Sequence, residues 1–433
     1  MSQFTAAVHS SCVVRSRFGI KISDQGEESM TRLSLQRGRK ALTLALTLLL
    51  ALAWLLPIPA LANSSGATLY VPWAATGSQA AGQATGAAAD APGSVYVLTN
   101  QSSGNAVAVY SRAADGSLAR VATVPTGGLG TGSGIGSQGS LILSDNGQWL
   151  LAANPGSNDL SVFAVQPGGL ALTDRVASGG TLPTSVTHFK GLVYVLNAGG
   201  SGNISGFRLS NQGKLTPLPG STQPLSNNGA GSAPAPAQVA FSPGGDMLVV
   251  TERATNQIDT YVVGSDGLAS GPTVYPAAGV TPFGFAFTQQ GTLVVSEAFG
   301  GAADASAVSS YALAQGSLRV ISPSVPTGQT AACWIAVSKN GKYAYSTNAG
   351  SGSVSAYAVH PDGSLTLIDG RAGVTGDNSG PIDAMVSHNG QYLYVLNGRV
   401  PNIAAFALQA DGRLVSLGVF AGLDPGAVGI AAW

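Results

Sequence analysis

The chain has 433 residues, of which only 9% are charged, with 20 Lys and Arg against 20 Asp and Glu. So little charge excludes a coiled coil, and a formal net charge of zero leaves no basic footprint for nucleic acid. With 59 glycines and 45% hydrophobic residues, the composition suits many short strands and tight turns around a large core rather than disorder.

Residues 1–62 read as a leader. A basic stretch, TRLSLQRGRK, precedes sixteen apolar residues, ALTLALTLLLALAWLL, and a small-x-small ending at Ala60-Leu61-Ala62. This is the order of a secretory signal peptide cleaved after Ala62, which predicts a secreted or periplasmic protein. A membrane span is the rival reading, but sixteen residues are short for one, so no stable span is expected after cleavage. Residues 1–29 suit neither reading, and Met30 would be a more ordinary start. Cleavage removes seven basic and three acidic residues, leaving 13 against 17, or −4. It also leaves Cys333 as the single cysteine, so no internal disulfide is expected and the core alone must stabilise the exported chain. Residues 63–93 form a low-complexity lead-in.

From residue 94 onward one unit recurs: an apolar strand, a turn like SPGG, a second apolar strand ending in a polar residue, a third strand, a DGSL-type turn and a fourth strand. The second strands end at Asn100, Asn154, Asn197, Glu252, Glu297, Asn348 and Asn397, at spacings of 54, 43, 55, 45, 51 and 49 residues. Such a period predicts an all-β, seven-bladed propeller of four-stranded blades over residues 94–433. Six first strands are legible, and the first unit has none. The segment GAVGIAAW (426–433) follows the seventh unit and is predicted to pair into the first blade, which closes the ring and removes exposed sheet edges. No segment shows sustained helical periodicity.

Strand alternation assigns each loop type to one face of the disk. The seven strand-end residues form a polar ring on the face that also carries the blade-to-blade connections, with Trp334, Asp383 and Arg371. For the asparagines, a structural account suffices, because Asn at a strand end bonds nearby backbone and starts the turn. Glutamate is a poorer turn former, and Glu252 and Glu297 are the only glutamates after residue 62. On adjacent blades, two such carboxylates could share a proton, hold a divalent cation or activate water. No metal-spaced His/Cys cluster is present in the sequence. His188 and His388 in the turns after first strands, and His360 before a PDG turn, belong to the opposite face as solvated turn residues. The Gly run at 127–139 has no helix after it and fails as a phosphate cradle. Cys333 opens an inner strand and reads as a buried thiol.

The stretches VYVLNAGGSGNISGF, PAQVAFSPGGDMLVVTERATNQIDTY, STNAGSGSVSAYAVHPDGSL and LYVLNGRVPNIAAF resemble the lactonase family of seven-bladed propellers, which includes bacterial 6-phosphogluconolactonase and fungal 3-carboxymuconate cyclases. The resemblance spans residues 94–433 and implies hydrolysis or formation of a lactone without an organic cofactor. It matches Glu252 to the family's acid position, with Glu297 its counterpart one blade on. The family's His and Arg partners have no match at the inner-strand openings PTS, PAQ, PFG and PID, and Arg253 and Arg371 are the only nearby cations.

Two readings follow. In the first, the protein is an exported monomeric lactone hydrolase or cyclase acting on a small carbohydrate-derived or carboxylic lactone. Glu252 would then be the base, Glu297 would tune it, and Asn197, Asn348, Asn397, Trp334, Asp383 and Arg371 would hold substrate. In the second, it is a non-catalytic extracytoplasmic propeller that binds a ligand or partner protein on its polar face.

Overall fold

The structure, a computed structural model, describes residues 93–433 apart from Gln315. The leader, its cleavage site and most of the lead-in lie outside the described residues.

Seven antiparallel four-stranded sheets form the ring, with a two-residue extra strand on the third. The only helical turn among the described residues is the 3-10 segment Phe299–Gly301. The second strands run as Trp149–Asn154, Leu192–Asn197, Met247–Glu252, Thr292–Glu297, Tyr343–Asn348 and Tyr392–Asn397, so the predicted strand ends hold in six blades. In blade 1 the strand stops at Leu98, and Asn100 turns with a φ of 53°. The C-terminal strand Val428–Ala432 pairs antiparallel with Gly93–Leu98, as the missing first strand required. That closing strand also packs against the inner strands of blades 2 and 7, which joins the ring.

Blades adhere through a repeated clamp. A buried tyrosine on the second strand donates its hydroxyl to the glycine carbonyl of a DG turn on the next blade. Tyr194 does so to Gly267 at 2.9 Å, Tyr345 to Gly412 at 3.1 Å and Tyr394 to Gly116 at 2.8 Å. The glycine is needed there, since Gly116 has a φ of 85° and a Cβ on it would meet the Tyr392 ring at 2.5 Å. The DG turn read from the sequence is thus an inter-blade joint as well as a hairpin.

Five inner strands share a second feature. Beyond the opening residue each one slips register, between Pro183 and Ser185, Pro236 and Gln238, Pro282 and Phe285, Ala332 and Trp334, and Pro381 and Asp383. A bulge re-aims the side chains beside it. These bulges set which residues meet at the middle of the central channel.

Candidate functional site

The strand-end residues are buried inside and between the blades. Asn154, Asn197, Asn348 and Asn397 are at most 1% exposed, and so are Glu252 and Glu297. Each Asn uses its amide to pin the following loop. The Asn154 amide donates to Asp159 and Ser161, Asn197 to Asn203 and the Ser178 carbonyl, Asn348 to Ser353 and Ser355, and Asn397 to Asn402 and the Thr375 carbonyl.

The glutamates occupy the same place but recruit more donors. Glu252 accepts from the Ser226 backbone N–H at 3.1 Å, the Ser226 hydroxyl at 2.5 Å and the Thr255 hydroxyl at 2.6 Å. Glu297 accepts from Ser309 at 2.5 Å and Ser324 at 2.7 Å, and burial raises its pKa. These glutamates have no hydrogen-bond donor in common. The carboxylate that does pair with Glu252 is Asp259, on the third strand of the same blade, which lies opposite Val250. Burial, first, and then Glu252 raise the Asp259 pKa to about 9. Burial and the neighbouring Glu252 thus favour the neutral, protonated form of Asp259 at neutral pH. The same register position holds Ser161, Ser309 and Ser355 in blades 2, 5 and 6. Aligning third strands by register would have found Asp259, because there an acid replaces a hydroxyl that bonds the strand-end residue.

The channel holds two cavities with no lining residue in common. The upper one, about 180 Å³, opens at the face where inner strands begin, among Ile135, Phe283, Cys333, Trp334, Ile382 and Arg399. The lower one, about 610 Å³, opens at the opposite face. Between them Gln138, from the glycine-rich connection before blade 2, reaches across to blade 6. Its amide donates to the Ile335 carbonyl at 2.9 Å and accepts from the Ile335 N–H at 3.3 Å. Gly284 leaves room for that crossing, since a Cβ there would lie 2.3 Å from Gln138 Oε1. Gln238 bonds both backbone groups of Phe285 in the same manner, at 2.9 and 2.7 Å. These side chains satisfy inner-strand edges that would otherwise face the channel unpaired.

Asp383 stands in this middle layer, where it accepts from the N–H groups of Ala384 at 2.8 Å and Ile430 at 3.2 Å. Complete burial raises its pKa to about 7, opposed by those bonds and one from Gly139. It thereby ties blade 7 to the closing strand, and it lines the lower cavity. Trp334 lines the upper cavity with its ring edge-on to Phe283, centroids 4.6 Å apart. Its indole Nε1–H is buried and has no hydrogen-bond partner. Cys333 is buried, with Sγ 3.2 Å from the Ala331 carbonyl. Arg371 belongs to the outer strand Leu365–Val374 and is exposed, away from both cavities.

Two cations stand by the upper cavity instead. Arg399 lines it and donates to Asn378 at 3.1 Å. Arg253 lies over the Phe283 ring at 4.8 Å and against Gly136, both of which line it. Arg399 follows the seventh second strand, as Arg253 follows the fourth, so the loop position was the available signal. Among the described residues no three His, Cys, Asp or Glu converge as a metal group.

The fold is that of a seven-bladed propeller whose channel opens at one face to a small recess flanked by Arg253 and Arg399. The chain belongs to the lactonase family of seven-bladed β-propellers, whose model matches residues 90–224 and 305–421. No curated protein matches it in sequence. Among solved structures it is similar to a periplasmic gluconolactonase of Pseudomonas aeruginosa, at 18% identity and a TM-score of 0.60, over 78% of this chain and 99% of that one. A candidate 6-phosphogluconolactonase of Bacteroides fragilis gives 21% identity and a TM-score of 0.58, over 79% and 98%. A Lactobacillus plantarum protein gives 19% and 0.63, over 78% and 99%. At these identities the likeness is one of fold.

Proposed function

We propose that this propeller is an exported hydrolase of a small, neutral, carbohydrate-derived lactone, which it binds in the upper cavity. Family membership supports the reaction class. The observation that carries the site is the buried, unpartnered Nε1–H of Trp334 in the wall of a recess that Arg399 also lines. A buried donor without a partner is costly, and a ligand carbonyl oxygen would satisfy it. The same N–H, with the Arg399 guanidinium, would stabilise the oxyanion that forms when water adds to a lactone carbonyl. The recess, at about 180 Å³, favours a compact ring over an extended substrate. Glu252 would serve as a positioning residue, since it precedes Arg253 and its bonds to Ser226 and Thr255 fix that turn. Export rests on the leader sequence, and no metal or organic cofactor enters the scheme.

One observation favours the second reading, a binding propeller without turnover. Among the described residues that line the upper cavity there is no carboxylate and no imidazole to act as base. A screen of aldonolactones by pH-stat separates the two, run on the wild type, Trp334→Phe and Glu252→Gln. A kcat/KM for hydrolysis lowered about tenfold or more in Trp334→Phe supports the hydrolase. Lactone binding without turnover in any sample supports the binding reading, and turnover unchanged in Trp334→Phe refutes the proposed site.

A further inference from the structure

The lower cavity takes no part in that scheme. Its polar ceiling is already bonded: Gln138 is held by Ile335, Gln238 by Phe285, and Asp383 by backbone N–H groups. Its walls are apolar, formed by Ile142, Phe241, Phe287, Val337 and Met385. Its mouth carries a different set. The imidazole of His388 stacks on the indole of Trp433, centroids 3.8 Å apart and planes 15° from parallel. Asp145 is engaged by His188, whose Nδ1 lies 3.6 Å away. Lys339, also at the mouth, has no acidic partner among the described ion pairs. Its side chain reaches solvent, yet the protein crowding the concave rim lowers its pKa by desolvation.

A cation that is partly desolvated and unpaired, set at the rim of an apolar barrel, matches a ligand with one anionic group and an apolar body. A polyol would find few free partners, because the ceiling amides are spent on backbone. A phosphate or dicarboxylate would bring two charges to one ammonium and face Asp145 and Asp383 as well. The cavity, at about 610 Å³, falls within the range of small-molecule sites. We propose that the lower cavity is a second ligand site that takes a small aliphatic or aromatic monocarboxylate. Its carboxylate rests on Lys339, beside the His388–Trp433 lip, and its body lies between Phe287 and Met385.

Titration calorimetry of the full chain with octanoate, and with 1-octanol as the uncharged probe of the same body, tests this. Octanoate is expected to bind with a stoichiometry of one, and Lys339→Gln to weaken it by at least about tenfold while leaving 1-octanol unchanged. Met385→Trp, which fills the barrel, should abolish binding of both, with far-UV circular dichroism confirming the fold. Trp334→Phe should leave octanoate binding intact, which separates this site from the upper one. The proposal is overturned if octanoate does not bind, if Lys339→Gln binds it as the wild type does, or if Trp334→Phe removes the binding.

Discussion

Asp259 and Glu252 stand on neighbouring strands of one blade, two buried carboxyl groups set so that burial and then Glu252 push the Asp259 pKa up. Their positions are offset by two pairs along the ladder, since Val250 faces Asp259 and Glu252 faces Gln257. Side chains on the same face of adjacent strands meet on that diagonal.

The raised pKa makes stability pH-dependent. Burial, then Glu252, push the Asp259 pKa up to about 9 in the fold, whereas in the unfolded chain the proton is lost near the ordinary carboxylate value of 3.8. The folded state therefore binds more protons between those limits, and the group's contribution is fullest below the lower one and falls as pH rises toward 9. Asp259→Asn keeps a donor and removes the titration. It is expected to flatten the slope between pH 5 and 9 and to stabilise the protein by roughly 1–3 kcal/mol at the alkaline end. Urea midpoints measured across that range test it, and an unchanged slope would refute the raised pKa.

The channel crossing can be checked as a pair. Gln138→Ala should cost about 1–3 kcal/mol, because it strips the buried Ile335 carbonyl and N–H of their partner. Gly284→Ala should cost at least as much, since its Cβ would meet Gln138 Oε1 at 2.3 Å and also the Trp334 ring and the Cys333 carbonyl at 2.8 and 2.9 Å. In the double variant the added methyl meets no Gln138, so the two costs should fall short of additive by more than about 0.5 kcal/mol. Denaturant titration of the four proteins gives the coupling.

The inter-blade joint makes a third expectation. Tyr394→Phe leaves the ring packing and removes the bond to Gly116, for a loss of about 1 kcal/mol. Gly116→Ala meets both the Tyr392 ring and a φ of 85°, and should cost more than the tyrosine change. Thermal unfolding that ranked the two in the opposite order would argue against the joint.

Deleting residues 426–433 should be the most severe change. It uncovers the edge of Gly93–Leu98 and takes away the buried Val428, Ile430 and Ala431, so the chain is expected to aggregate rather than remain a soluble ring. Supplying the segment GAVGIAAW as a peptide should recover soluble protein, measured by gel filtration.

The repeat was legible because propeller strands alternate and end at fixed intervals, and local pattern alone sets that. Seven blades, six of the seven second-strand ends and the closing strand could be read before any contact was known. The same pattern located Glu252 and Glu297 as equivalent positions, but it said nothing about which way they point. Burial between blades sends both into the sheet packing, and the acid that joins Glu252 comes from the strand beside it, seven residues on. His188 and His388 were assigned to the correct face, yet the cavity they border was invisible, since it exists only where seven inner strands converge. The reach of Gln138 to Ile335 and the position of Arg399 beside the channel are likewise products of ring closure. They depend on residues far apart in sequence, and no periodicity along the chain encodes such a meeting. The sequence by itself determined the repeat, because each blade is a local unit. Only the tertiary structure decided the channel, because its walls belong to all seven blades at once.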